Sequence, residues 1–220
     1  MTGPPRGARN RYDADMNPLR KFFCVLALGL WSFSAAAQTA AQGDLLVAST
    51  DMADPNFTQS VLLLLRHNES GTIGVLINRP TNLAPGDVFE DLDELTGYGG
   101  NLYYGGPVLP TRLLLLLRDP PARLREGPAV VADIYVSGDP GVIGAVGNWD
   151  SNDANLRFYA GHTAWEPGQL DQEIADGRWT VLPDRADLVF AREPLELWQR
   201  AIAAGGEVVV SLGQPTAASD

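Results

Sequence analysis

Two apolar runs, residues 60–66 and 72–78, are separated only by His67-Asn68-Glu69-Ser70-Gly71. Apolar runs of this length bounded by turn residues read as strands, and the short connection makes them an antiparallel hairpin with Gly71 available for positive φ. A second constraint lies at residues 113–117, five consecutive leucines. A strand with no polar position must be buried on both faces, so the sheet needs cover on each side. Further strands are predicted at 43–49, 102–104, 112–118, 129–136, 156–160, 179–182 and 188–190, with a strand-like run at 208–212. Helical spacing or helix-end signals appear at 87–95, 138–149, 167–176 and 194–204. Pro167 sits in the first turn of the third helix, with Gly177 beyond its end, and Gly205 follows the fourth. Residues 51–55 read as a turn, because Asp54-Pro55 breaks helix. Leu170 and Ile174 are expected to face the core. The fold class is α+β, a single domain spanning residues 43–206 and a tail at 207–220 whose end, from 214, reads as disordered.

Residues 19–37 read as a signal peptide. Arg20 and Lys21 precede an apolar stretch at 22–33, and Ala35-Ala36-Ala37 offers the small residues a signal peptidase accepts. Cleavage is expected near Ala37, placing the mature chain outside the cytoplasm, in the periplasm. A membrane-spanning helix needs about 20 apolar residues, so this run is short for one. The alternatives are a buried N-terminal helix or an uncleaved anchor. Residues 1–18 read as a disordered or misassigned start, with Met16 available as the initiator. Cys24, the only cysteine, lies within the apolar run and lacks the small-residue context of a lipid-attachment site. Its loss with the leader leaves no disulfide, thiolate or cysteine metal ligand.

Removing the leader sharpens the charge balance. Five of the 16 basic residues and two of the 27 acids lie in residues 1–37, leaving 11 arginines against 25 acids, a net charge of −14. Nucleic-acid affinity rests on cations that neutralise phosphates, so this balance disfavours direct DNA or RNA binding. After cleavage no membrane segment is expected.

The catalytic inventory is thin. Only His67 and His162 are present, and none of the serines lies in a G-x-S-x-G elbow. His67 falls in the predicted hairpin turn, where a solvated polar residue is expected. His162 and Glu166 lie four apart and form the one enzyme alternative, a hydrolase-like pair, although Pro167 makes that stretch a loop or helix entrance. The acids at 87–94 match no calcium loop, and the glycines near 100 match no phosphate-binding motif, so no metal and no cofactor is assigned. The better candidates are binding residues at the ends of elements: Asn78 and Arg79 before Pro80, Gly105 and Gly106, and Trp165 with Gln169. An arginine fork suits a carboxylate and an indole offers a stacking face. The competing structural reading has Asn78 and Gln169 satisfying backbone groups, Trp165 packed on the sheet and Arg79 paired with an acid. On the binding reading the partner is an unidentified protein or a small polar ligand.

Taken in order, the blocks Asp54-Pro55-Asn56-Phe57, Ser60-Val61, Arg66-His67-Asn68, Gly71, Gly74 and Ile77-Asn78-Arg79-Pro80 resemble the opening of the YqgE/AlgH family. Gly105-Gly106-Pro107-Val108, Gly161, Trp165, Pro167-Gly168-Gln169-Leu170, Glu173-Ile174, Trp179 and Trp198 continue the resemblance. It covers residues 43–206. It implies an α+β domain whose bifurcated sheet, mixed or antiparallel, curls into a pseudo-barrel with flanking helices. The family carries the label of a transcriptional regulator without an established biochemical activity, and its members are usually cytoplasmic, the alternative location for this chain. Three features depart from the family pattern: His162-Thr163-Ala164 stands where Tyr-Ala-Gly is typical, Glu166 where a small residue is common, and Leu117 where a histidine often closes the strand. Functions that need those groups do not transfer.

Overall fold

The computed structural model describes residues 39–96 and 98–212. The leader expected at 19–37, its cleavage point, Cys24, the start at 1–18 and the tail end from 214 lie outside the described residues. Eight strands run in the order β1 (Leu45–Ala48), β2 (Val61–Asn68), β3 (Gly71–Leu76), β4 (Leu102–Tyr104), β5 (Val108–Arg118), β6 (Ile134–Ser137), β7 (Leu156–Trp165) and β8 (Trp179–Leu182). Among the described residues five α-helices accompany them: α1 (Pro85–Val88), α2 (Pro140–Ala145), α3 (Gln169–Ala175), α4 (Ala186–Val189) and α5 (Leu197–Leu212). The strands form one sheet in the order β6-β5-β7-β3-β2-β1-β8, with β4 also pairing to β7. All pairings are antiparallel except β4 with β7.

The sheet forks on one side of β7. Residues 158–160 of β7 pair with β4, whereas 163–165 pair with β3. Gly161, at φ +74°, kinks the strand between the two partners. Gly105 stitches the fork: its N–H donates to the Ala160 carbonyl at 2.8 Å, and its carbonyl accepts from the Leu76 N–H at 2.9 Å. The ends of the sheet also approach one another. The Gln42 side chain reaches the Ala129 carbonyl at 3.5 Å, and Gly43 packs where a Cβ would meet the Val130 carbonyl at 2.8 Å. No strand pairing joins β6 to β8, so the curl stops short of a closed barrel.

Three apolar clusters follow from that shape. The inner cluster joins Leu45, Val47, Leu63, Val75 and Tyr159 to Leu188 of α4 and Leu197 and Ala201 of α5. On the outer face, one cluster packs Leu62, Leu64, Trp165 and Trp179 against Leu170 of α3. The other packs Leu113, Leu115 and Leu117 against Ile143 of α2. Leu116 points the other way, into the inner cluster. Residues 113–117 are thus enclosed on both sides, as their sequence demands.

The hairpin forms with a turn at Glu69-Ser70, since Asn68 pairs with Gly71, and Gly71 takes φ +110°. His67 therefore lies in β2 and not in the turn. There its Nδ1 is 2.7 Å from Thr72 Oγ1 and its Nε2 3.5 Å from an Asp171 carboxylate oxygen. The helix predicted at 87–95 is replaced by α1 and a single 3-10 turn at Asp93–Leu95. The strand predicted at 188–190 is instead the end of α4, whose Leu188 and Val189 seal the inner core. The helix expected to stop before Gly205 continues as α5 to Leu212, and the strand-like run at 208–212 is its last part. α5 thus runs through Gly205 and Gly206 despite a glycine penalty of about 1 kcal/mol per residue.

Candidate functional site

The residues singled out before Pro80 and around Trp165 converge on one loop, 54–60, which leads into β2. Asn78 is 4% exposed, and both the oxygen and the nitrogen of its amide are bonded. Its Oδ1 accepts from the Val61 N–H at 2.9 Å, and its Nδ2 donates to the Gln59 carbonyl at 2.9 Å. The Arg79 guanidinium donates to the Thr58 carbonyl and, at 3.2 Å, to Ser60 Oγ. From the other side Phe57 stacks on Trp165 at 6.3 Å between ring centroids and meets Trp179 edge-on at 5.6 Å.

Glu173 of α3 locks those indoles. Its Oε2 accepts from Trp165 Nε1 at 3.1 Å and from Trp179 Nε1 at 2.9 Å, while Oε1 accepts from Gln169 Nε2 at 3.0 Å. Gln169 Oε1 in turn accepts from the Glu166 N–H at 3.1 Å, tying down the entrance to α3. Only a carboxylate offers acceptors alone to three N–H donors, which is why a glutamate fits this position. Trp165 itself is 6% exposed and belongs to the core. The loop held by these groups is exposed at Ala53, Asp54, Pro55, Asn56, Thr58 and Gln59. Asp54 orders its tip by accepting from the Asn56 N–H at 2.9 Å, and Gln59 sits at φ +53°.

Gly105 and Gly106 belong to the fork. A Cβ at Gly105 would fall 2.3 Å from the Gly161 carbonyl oxygen, and one at Gly106, where φ is +148°, would fall 2.4 Å from that of His162. Close backbone approach and the positive φ explain both glycines.

His162 lines a groove of about 720 Å³ with Arg112, Ser137, Glu126, Asp139 and the apolar Leu65, Ile73 and Leu114. Burial, helped by the nearby Arg112 charge, lowers its pKa from the ordinary 6.5 and so favours the neutral ring. Glu166 does not line this groove. The Ser137 hydroxyl donates to Glu126 and accepts from the Asp139 N–H at 3.1 Å. No hydrogen bond among the described residues joins His162 to Glu166, Ser137 or Glu126. Among the described residues no cluster of three metal-ligating side chains occurs, and no helix is long and apolar enough to cross a membrane.

A second cavity, of about 540 Å³, opens beside Arg157 and Arg192 and escaped the sequence reading. The readable signal was a lone arginine within the apolar strand 156–160. Phe57 and Glu173 were missed as loop anchors, although Glu173 follows Gln169 by four residues on a predicted helix, the spacing at which side chains meet.

Comparison with known proteins agrees with this architecture. The AlgH-like family model matches residues 45–209. A UPF0301 protein of Streptomyces coelicolor is 35% identical over 169 residues, covering 73% of this chain and 84% of its own. One from Myxococcus xanthus is 34% identical over 165 residues, with coverage of 74% and 89%. The solution structure of AlgH from Pseudomonas aeruginosa superposes with a TM-score of 0.62 at 27% identity, covering 82% of this chain and 99% of that one. A crystal structure of a Corynebacterium diphtheriae protein gives 0.63 at 24% identity, covering 81% and 90%, a likeness of fold.

Proposed function

The chain belongs to the AlgH-like family, and we propose that it acts as a non-enzymatic interaction domain, exported to the periplasm, whose contact surface is the loop at 54–59. One observation carries this reading: Asn78, Arg79, Trp165 and, through Glu173, Gln169 hold a loop that is anchored by its own Phe57 and exposed at 54–56, 58 and 59. An ordered exposed loop on a rigid base lowers the entropy cost of binding, since fewer rotamers and backbone states remain to be frozen. The candidate binding residues then act by positioning the loop, and its exposed atoms meet a protein partner. A hydrolase using His162 and Glu166 draws no support from their placement, and the excess of acid argues against a nucleic-acid partner.

Photo-crosslinking in the native host tests the reading. A benzophenone side chain replaces Ala53, beside the loop, or Ala122, in a turn near the outer leucine cluster. Both positions are exposed. A discrete crosslinked partner is expected from position 53 and none from 122. Equal products at both, or none at 53, would overturn the assignment.

A further inference from the structure

We propose that the cavity beside Arg157 is a second binding site, for a small organic anion whose phosphate or carboxylate lies between Arg157 and Arg192. It stands apart from the loop surface, none of whose residues line it. Arg157 on β7 is 2% exposed. Three of its five N–H groups are spent on carbonyls: Nε on Asp153 at 3.1 Å, Nη1 on Val189 at 3.2 Å and Nη2 on Ala191 at 2.6 Å. Its guanidinium lies over the Tyr103 ring at 5.0 Å and over Phe190 at 5.3 Å. Carbonyl dipoles and ring faces soften the burial of a cation, yet they supply no full negative charge.

Among the described residues Arg157 and Arg192 form no ion pair with a carboxylate. The nearby acid, Asp153, is exposed at the rim, with its Oδ1 3.2 Å from the Tyr98 hydroxyl. Two arginines thus face the cavity against one aspartate. At about 540 Å³ the space suits a small molecule, within the roughly 300–1,000 Å³ usual for such sites. Tyr98 and Phe190 offer apolar walls for a ring or short chain. A structural clamp alone would explain the three carbonyl bonds. It would not explain a buried charge left beside an open cavity with a second arginine at its mouth, neither ion-paired with a carboxylate among the described residues.

The test titrates the purified full chain with phenyl phosphate, benzoate and neutral benzyl alcohol, following heat and the Arg157 Nε–H resonance. At least one anion should bind saturably, with the Arg157 signal tracking the same isotherm and benzyl alcohol weaker by about tenfold or more, as expected when charge-assisted hydrogen bonds carry recognition. The tighter of the two anions identifies the head group. Arg192→Glu, at an exposed position, should weaken binding by about tenfold or more without changing the thermal midpoint, and Arg192→Lys should retain most of it. Saturation by neither anion, equal binding of the alcohol, or undiminished binding by Arg192→Glu would overturn the proposal. Failure here leaves the crosslink at position 53 untouched, and the converse also holds.

Discussion

Glu173 accepts from two indoles and one amide, so a single side chain joins α3, the end of β7 and the start of β8. Glu173→Gln keeps the size but turns one acceptor into a donor facing N–H groups. We expect a loss of about 1–3 kcal/mol in unfolding free energy, read from urea titration, since buried donors would be left unmatched. A value within about 0.5 kcal/mol of the parent would show that the three bonds add nothing. Residue identity alone made Asn78, Arg79, Trp165 and Gln169 visible as candidates. The partners of Asn78 and Arg79, and of the Trp165 ring in Phe57, were hidden because those contacts join segments 17 or more residues apart.

At the scale of elements, the fork around Gly105, Gly106 and Gly161 organises the sheet. Gly106→Ala places a methyl group against the His162 carbonyl at 2.4 Å in a backbone region closed to other residues. Destabilisation beyond about 3 kcal/mol is expected, seen as lost soluble yield or a collapsed amide spectrum. Gly168→Ala is the control: φ there is +74°, but nothing lies within 4 Å of the added Cβ. That variant should fold, at a cost of about 1–2 kcal/mol from the left-handed backbone. Equal losses for the two would place the penalty in φ alone and remove the role of close packing at the fork. Local patterns revealed the hairpin, α3 and the doubly buried leucine strand, because each depends on periodicity or caps within a few residues. They misjudged α4, where packing of Leu188 and Val189 on the inner cluster decides, and the length of α5.

For the whole molecule, the proposed function depends on export. Fusing residues 1–42 to a reporter active only outside the cytoplasm should give activity, and N-terminal sequencing of the mature protein should begin at or near Gln38, as the Ala-x-Ala pattern before it requires. An inactive reporter together with an intact N-terminus would return the protein to the cytoplasm. Its charge balance would still oppose nucleic acid, because that balance resides in the folded domain.

The sequence by itself determined the class of the domain, most of its strands, its acidity and its family, because periodicity, proline, glycine and charge act locally or sum over the chain. Only the tertiary structure decided what the singled-out side chains do. Asn78, Arg79 and Trp165 reach a loop some 20 or more residues earlier in the chain, and Arg157 is buried beside Val189 and Ala191. Such meetings depend on where a forked, curled sheet carries each strand, and no spacing along the chain encodes them.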